Sequence, residues 1–279
     1  MPFIRVVKEK NLLYVDPMTA GDHHRVYQDI FEAALPYLRS RSVAEVVMGR
    51  SLTMARLDDG NIGCSCSLES PRHSPFNASQ TSTAPVPETA EEAGALFVTG
   101  ETMVWRSVGL AVLNGAVADA AVSPDNRRDI PLQESIPLSA SDRLGMIGYI
   151  RPIADWARSI TDTVYVFDDS LPGETLSRRE QPRVLPLCTH VLITGSTLVN
   201  RTLHEILRLS GNAETIALVG PSVCLLPKAY SNTQITVLAG CLWDHTMGGE
   251  ISKKIAGGAG MKELTAAGAN TRVTLRRDG

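Results

Sequence analysis

The second half of the chain alternates short apolar runs with helical patterns, and the runs end in polar or glycine-bearing turns. Strands are read over 143–150, 163–167, 190–193, 215–219 and 234–238, and a last one over 271–275. Helical spacing follows at 152–160, where Pro152 suits a first turn, at 198–209, and at 250–255. In the segment 198–209, Leu203, Ile206, Leu207 and Leu209 fall on one side. Strands that alternate with helices form a mostly parallel sheet. This pattern predicts an α/β fold for the second half.

In such sheets a ligand sits beyond the carboxyl ends of the strands. The polar residues of this half gather there. Asp168 ends the second strand, and Thr194, Gly195, Ser196 and Thr197 form the turn after the third. Gly220-Pro221-Ser222 end the fourth, and Gly240 with Asp244 follow the fifth. The turn from Thr194 is expected to offer backbone N–H groups at a helix start, a place for an anion or a polar head. Asn200 lies a turn further on, and His204 could share its face. Asp168 follows Gly148 by about 20 residues, the place where dinucleotide folds hold ribose hydroxyls. No G-x-G-x-x-G occurs, which argues against a standard nicotinamide enzyme but leaves an adenosine-bearing ligand such as S-adenosylmethionine open. No H-E-x-x-H, P-loop or nucleophile elbow occurs either.

The first half reads as α+β. A helix over 23–39, capped by Asp22, turns Val26, Ile30, Phe31, Ala34 and Leu38 inward. A β meander follows over 44–57 and 62–68, hinged at Asp58-Asp59-Gly60-Asn61. Pro, Ser and Thr dominate 69–92, a surface loop that is either a lid or a plain insertion. The segment 94–104 reads as another strand and its approach, and 105–121 as a helix apolar on most sides. Asn114 lies in that helix; a buried amide needs partners, either a neighbouring strand or a ligand. Linker composition over 123–137 places a boundary between domains 1–136 and 137–279.

Other reactive residues carry weaker signals. Cys64 and Cys66 share a strand face, as small core residues or metal ligands. Cys224 lies beside the expected cleft, as a ligand, a nucleophile or a buried thiol. Asp244-His245 are a metal or acid–base candidate; His190 is as well explained by burial; His23, His24 and His73 fall in polar segments. The five cysteines lack zinc-ribbon spacing, so no disulfide framework is expected. With 279 residues, 43% hydrophobic and a net charge of -3, the chain has the makings of an apolar core and no basic face for nucleic acid. No run nears the ~20 apolar residues that span a bilayer. The first residues lack a signal-peptide core, so a cytoplasmic protein is expected, with no membrane partner.

The segments from Thr194 to Leu203, Gly220-Pro221-Ser222, and Ala239-Gly240 with Asp244 together resemble a family named for heavy-metal chelation. The segment from Ser107 to Ala116 resembles the helix signature of that family's first domain. The resemblance spans about residues 20 to 275. It implies an enolase N-terminal-like domain followed by a Rossmann-like domain, with a ligand site between them. Carried over, it points to Asn114, Gly195, Ser196, Thr197, Asn200 and Ser222, with Asp168 where relatives often carry an acid. Arg201 stands where a small residue is usual, and Val223-Cys224 where Thr-Pro is more usual. The expected function is binding of a small molecule or metal chelate, in metal handling or chelator biosynthesis. The alternative is an enzyme using S-adenosylmethionine or another adenosine-bearing ligand in small-molecule biosynthesis. The cofactor would be a metal ion or S-adenosylmethionine. The apolar helices and two-domain layout suggest a homodimer.

Overall fold

A computed structural model describes residues 6–9, 12–15, 25–67, 86–121, 131–171 and 173–276. Asp22, His23, His24, His73 and most of the 69–92 loop lie outside the described residues. Strands β1 (Val6–Glu9) and β2 (Leu12–Val15) pair antiparallel. Helix α1 (Arg25–Leu38) follows and buries Val26, Ile30, Phe31, Ala34 and Leu38, the face its spacing predicts. Strands β3 (Val43–Met48), β4 (Leu52–Leu57) and β5 (Ile62–Cys66) form a three-stranded antiparallel sheet. The β4–β5 turn needs Gly60, which sits at a φ of 91° where a side chain is disfavoured.

The expected strand over 94–104 is a helix, α2 (Ala90–Thr99). Leu96-Phe97-Val98 looks like a strand locally, but the upstream cap decides. Glu92 N donates to Thr89 Oγ1 at 3.2 Å, and Thr89 Oγ1 donates to Glu92 Oε2 at 3.1 Å. Ala90, Ala93, Gly94 and Phe97 then fall on one buried face. Helix α3 (Met103–Ala116), capped by Thr102, and a short α4 (Ala118–Ala121) follow. α3 is packed backbone to backbone on two sides. A Cβ at Gly109 would come within 2.0 Å of Phe97 N, and one at Gly63 within 2.1 Å of Ala111 O.

After α5 (Leu132–Ser135) the chain alternates: β6 (Leu144–Ile147), α6 (Arg151–Arg158), β7 (Val164–Phe167), α7 (Gln181–Val184), β8 (His190–Thr194). The helix expected over 198–209 is two, α8 (Ser196–Val199) and α9 (Leu203–Leu209). Arg201 separates them in the left-handed region, at a φ of 64°. Then come β9 (Thr215–Val219), β10 (Val237–Trp243), α10 (Gly248–Ala256), α11 (Met261–Ala266) and β11 (Asn270–Arg276). The sheet order is β11-β10-β9-β8-β6-β7, parallel except for β11. β10 runs later than expected because β11 pairs with it through Trp243. Gly240 therefore lies inside the strand, opposite Val273, and not in a turn beyond it. No helix among the described residues is long and apolar enough to cross a membrane.

One buried cluster runs through both halves, from Ile30, Phe97 and Leu113 to Leu198, Leu203 and Tyr230. Polar bonds reinforce this seam. Arg106 Nε donates to Val199 O at 2.7 Å, and Cys66 N to Ser222 Oγ at 2.8 Å. Ser252 Oγ donates to Glu45 Oε1 at 2.6 Å. The Arg201 guanidinium lies 4.1 Å from the Tyr27 ring centroid and 4.9 Å from that of Phe97. Its Nη2 donates to Phe97 O and, at 3.3 Å, to Val98 O.

Two outcomes follow for stability. Gly109→Ala improves helix propensity by about 1 kcal/mol, yet the clash with Phe97 N is expected to win and destabilise by about 1–3 kcal/mol. Urea unfolding gives the sign, and a stabilised variant would refute the close packing. Arg201→Ala leaves the cage empty and is expected to cost about 2 kcal/mol or more, read in the same assay.

Candidate functional site

The parallel strands lie in the order 2-1-3-4-5 when numbered along the chain from β6. The chain leaves β6 toward one edge of the sheet, to β7, and then returns past β6 to β8. Loops from β6 and β8 thus diverge, and a crevice opens at the carboxyl ends between them. A cavity of about 480 Å³ occupies this place. Ile147, Phe167 and Ile206 give it an apolar wall, and Asp168, Thr194, Ser196, Thr197 and Asn200 line it with polar atoms. Those five were among the residues expected from sequence.

Each is held by its local turn. Asp168 Oδ2 accepts from Tyr149 N at 2.9 Å, and Oδ1 from Ser170 N at 3.0 Å and Ser170 Oγ at 2.6 Å. Partial burial pushes its pKa up, but the bonds from Ser170 and Tyr149 outweigh burial and leave the carboxyl below its ordinary value. Asn200 Oδ1 accepts from Thr202 N at 3.2 Å and from Thr202 Oγ1 at 2.7 Å. That fixes the amide plane with its exposed NH₂ turned from the Thr202 bonds. Thr197 Oγ1 donates to Thr194 O at 2.7 Å, and Ser196 Oγ lies 3.2 Å from Thr194 Oγ1.

Two of the amides in the turn after β8 are already paired. Gly195 N donates to Val219 O at 2.7 Å, and Ser196 N to Thr194 Oγ1 at 3.4 Å. Gly195 itself backs the crevice: a Cβ there would stand 3.2 Å from Ser222 Cβ.

Asn114 and Ser222 do not line the cavity. Both sit at the seam. Asn114 Nδ2 donates to Cys64 O at 2.8 Å and to Pro221 O at 3.4 Å, while its buried Oδ1 has no partner among the described residues. The neighbouring strand expected as a partner for this amide supplies one, through Cys64 O. Ser222, 1% exposed, accepts the Cys66 amide. Asp244 is exposed and caps a turn, accepting from Thr246 N at 2.8 Å. His204 packs edge-on against Tyr27, with ring centroids 6.4 Å apart, because the helix break at Arg201 rotates it off the Asn200 face. His190 lies at the amino end of β8, with Nε2 3.5 Å from Asp142 Oδ2, at the opposite end of the sheet from the crevice.

Sequence reasoning missed Tyr149, Ser170, Arg178, Gln181 and Thr202, which also line the cavity. Ser170 and Thr202 carried a signal, being hydroxyls two residues from Asp168 and Asn200 in Asx-type turns. Arg178 carried none, since it arrives from the loop between β7 and α7. It pairs with Glu205 at 2.9 Å and joins the crevice to an adjoining hollow of about 500 Å³.

A metal cage is not formed by these residues. No group of three or more His, Cys, Asp or Glu among the described residues is placed to hold an ion. Burial pushes the thiols up, to about 11 for Cys66, Cys188 and Cys241 and about 12 for Cys224, and well above the ordinary value for Cys64. At neutral pH they remain protonated.

Comparison with known proteins agrees with this architecture. Two family models match, DUF364 over residues 131–274 and DUF4213 over 31–117, each described as "Putative heavy-metal chelation". The chain is 30% identical over 151 residues to an uncharacterized protein of Methanocaldococcus jannaschii. That match covers 49% of this chain and 54% of the relative, so it spans about half the relative's length. A DUF364-family protein of unknown function from Pyrococcus horikoshii aligns with a TM-score of 0.75 at 19% identity, over 90% of this chain and all of that one. Another, from Desulfitobacterium hafniense, aligns at 0.74 and 21%, over 91% of this chain and 99% of its own. Both share the mixed α/β fold with its antiparallel and mostly parallel sheets. The chain belongs to the DUF364 family, described as "Putative heavy-metal chelation".

Proposed function

We propose that this protein binds a small polar organic molecule, a chelator or a metal chelate, in the crevice at the carboxyl ends of β6, β7 and β8. The observation that carries the reading is the convergence of Asp168, Ser196 and Asn200 on one cavity with an apolar wall. The family description supports a role in metal handling or ligand binding. The cavity's polar groups are an accepting carboxylate with hydroxyls and an amide, which suit hydroxyl and amine partners on a ligand. They do not suit a bare soft ion, which prefers thiolate. The metal is therefore cargo, carried by an organic ligand. The cavity is lined by residues of the second half, so the site is proposed there and not across the seam; the first half supports it from behind.

A second reading is favoured by the position of Asp168. It ends β7 and is oriented by Tyr149 N and Ser170, as an acid that receives ribose hydroxyls would be. An adenosine-bearing ligand, including S-adenosylmethionine, fits the same crevice. Among the described residues, no nucleophile or acid–base pair faces the cavity in a way that assigns a reaction.

The first test is mass spectrometry of small molecules released from the denatured protein, with elemental analysis. An organic molecule, with or without metal, is expected at near-stoichiometric amounts. Asp168→Ala and Asn200→Ala should each weaken its rebinding about tenfold, the effect of one lost hydrogen bond at roughly 1.4 kcal/mol. Rebinding indifferent to both variants would sink the reading.

A pH series provides the second. The folded pKa of Asp168 lies below the ordinary 3.8, so its ionised form, and the stability it adds, is present above that value. Stability from this group is lost only as pH falls through the lowered folded value. Binding should accordingly stay flat between pH 7 and 5, measured by titration calorimetry, and the Asp168 contribution should vanish in Asp168→Asn. A binding midpoint for this group near neutrality would contradict the assignment.

A further inference from the structure

We infer that the crevice selects a neutral or cationic ligand and rejects one that would place a phosphate or carboxylate against the sheet. This rests on the crevice being the ligand site, and it narrows the chemistry of what enters.

Folds with this strand order commonly hold phosphate on free amides of the turns that follow the strands. Here four of those amides are already committed. After β6, Gly148 N donates to Phe167 O at 2.8 Å, and Tyr149 N donates to Asp168 Oδ2 at 2.9 Å. Pro152, the second residue of α6, has no N–H, and Ile153 N and Ala154 N both turn back to Ile150 O at 3.0 Å. After β8, Gly195 N and Ser196 N donate to Val219 O and to Thr194 Oγ1. The acceptor that takes the Tyr149 amide is a carboxylate. An anion of the protein thus occupies the place where a ligand's anion would sit in a phosphate-binding turn.

The side chains agree with the backbone. Asp168 and Asp169 both line the cavity. Among the described residues the cationic side chain that lines it is Arg178, whose Nη2 is paired with Glu205 Oε2 at 2.9 Å. Arg151 stacks over the Tyr149 ring at 5.6 Å and does not line the cavity. An incoming phosphate would meet two carboxylates, while the cation that lines the cavity among the described residues already shares its charge with Glu205, in a half-enclosed space where screening is reduced. An ammonium, a sulfonium or a set of hydroxyls would instead find acceptors at Asp168, Ser196 and Thr194. Within the proposed function, this favours a chelator whose donors are amines or hydroxyls, or a nucleoside without its phosphate.

Titration calorimetry of the wild type with adenosine, S-adenosylmethionine, AMP, citrate and inorganic phosphate tests the inference. The expected result is no binding of citrate or inorganic phosphate, and AMP at least tenfold weaker than adenosine. The double variant Asp168→Asn, Asp169→Asn should reduce the adenosine-to-AMP ratio at least fivefold. A wild type that binds inorganic phosphate or citrate, or AMP as tightly as adenosine, would overturn the inference. So would a ratio unmoved in a double variant that melts like the wild type. If adenosine and S-adenosylmethionine also fail to bind, the adenosine reading falls separately, and the phosphorus content of the molecule released from the wild type decides. Phosphorus released in proportion to protein overturns anion rejection, and an organic molecule free of phosphorus upholds it. Release of no organic molecule overturns both this inference and the site reading.

Discussion

A single buried guanidinium ties the molecule together. Arg201 belongs to the second half by sequence but is enclosed by the first half, between the rings of Tyr27 and Phe97. Burying a cation away from water is costly unless its charge and its N–H groups are met. Here two ring faces meet the charge, and the carbonyls of Phe97 and Val98 accept from Nη2, while the buried Nη1 has no hydrogen-bond partner among the described residues. No carboxylate among the described residues pairs with it. Burial lowers its pKa to about 10, with Tyr27 opposing that shift, so it stays protonated at neutral pH. The side chain can reach the cage only if the backbone turns into the left-handed region, and that turn separates α8 from α9.

The consequences run directly to the crevice. Asn200 immediately precedes the strained residue and Thr202 follows it, and the bonds between them orient the Asn200 amide. At the preceding turn, Arg106 of α3 holds the carbonyl of Val199. On the far side of Gly195, Ser222 is held by the amide of Cys66. The short α8 is therefore braced from the first half, although the cavity is lined by the second. A rigid backing of this kind lets a few hydroxyls and one carboxylate discriminate among ligands, because their positions are paid for in advance by packing. The same bracing accounts for Asn114, whose amide closes the seam between Cys64 O and Pro221 O.

Legibility followed the range of the interaction. Asp168, Thr194, Ser196 and Asn200 were readable because a strand and the turn that ends it are consecutive in the chain. The parallel sheet was readable from apolar runs alternating with helical spacing. α2 was misread as a strand because Leu96-Phe97-Val98 suits either state, and the Thr89–Glu92 cap decides only when followed forward. The helix over 198–209 was read as one because its apolar spacing continues across Arg201. Gly240 was placed in a turn because the pairing that carries β10 past it comes from β11, where its partner Val273 lies 33 positions later.

The amino-acid sequence by itself determined the α/β class, the antiparallel meander with its Gly60 turn, and the strand ends that carry the polar residues. Each of these depends on hydrophobic period, caps and turn geometry within a few residues. Tertiary structure alone decided the seam. Its defining bonds join residues 93, 104 and 156 positions apart, from Arg106 to Val199, Arg201 to Phe97 and Cys66 to Ser222. No local pattern records such pairs. Tertiary structure also decided which turn amides are taken. The N–H of Tyr149 meets the Asp168 carboxylate just beyond β7, and that of Gly195 meets Val219 O of β9, contacts made only when the sheet has formed.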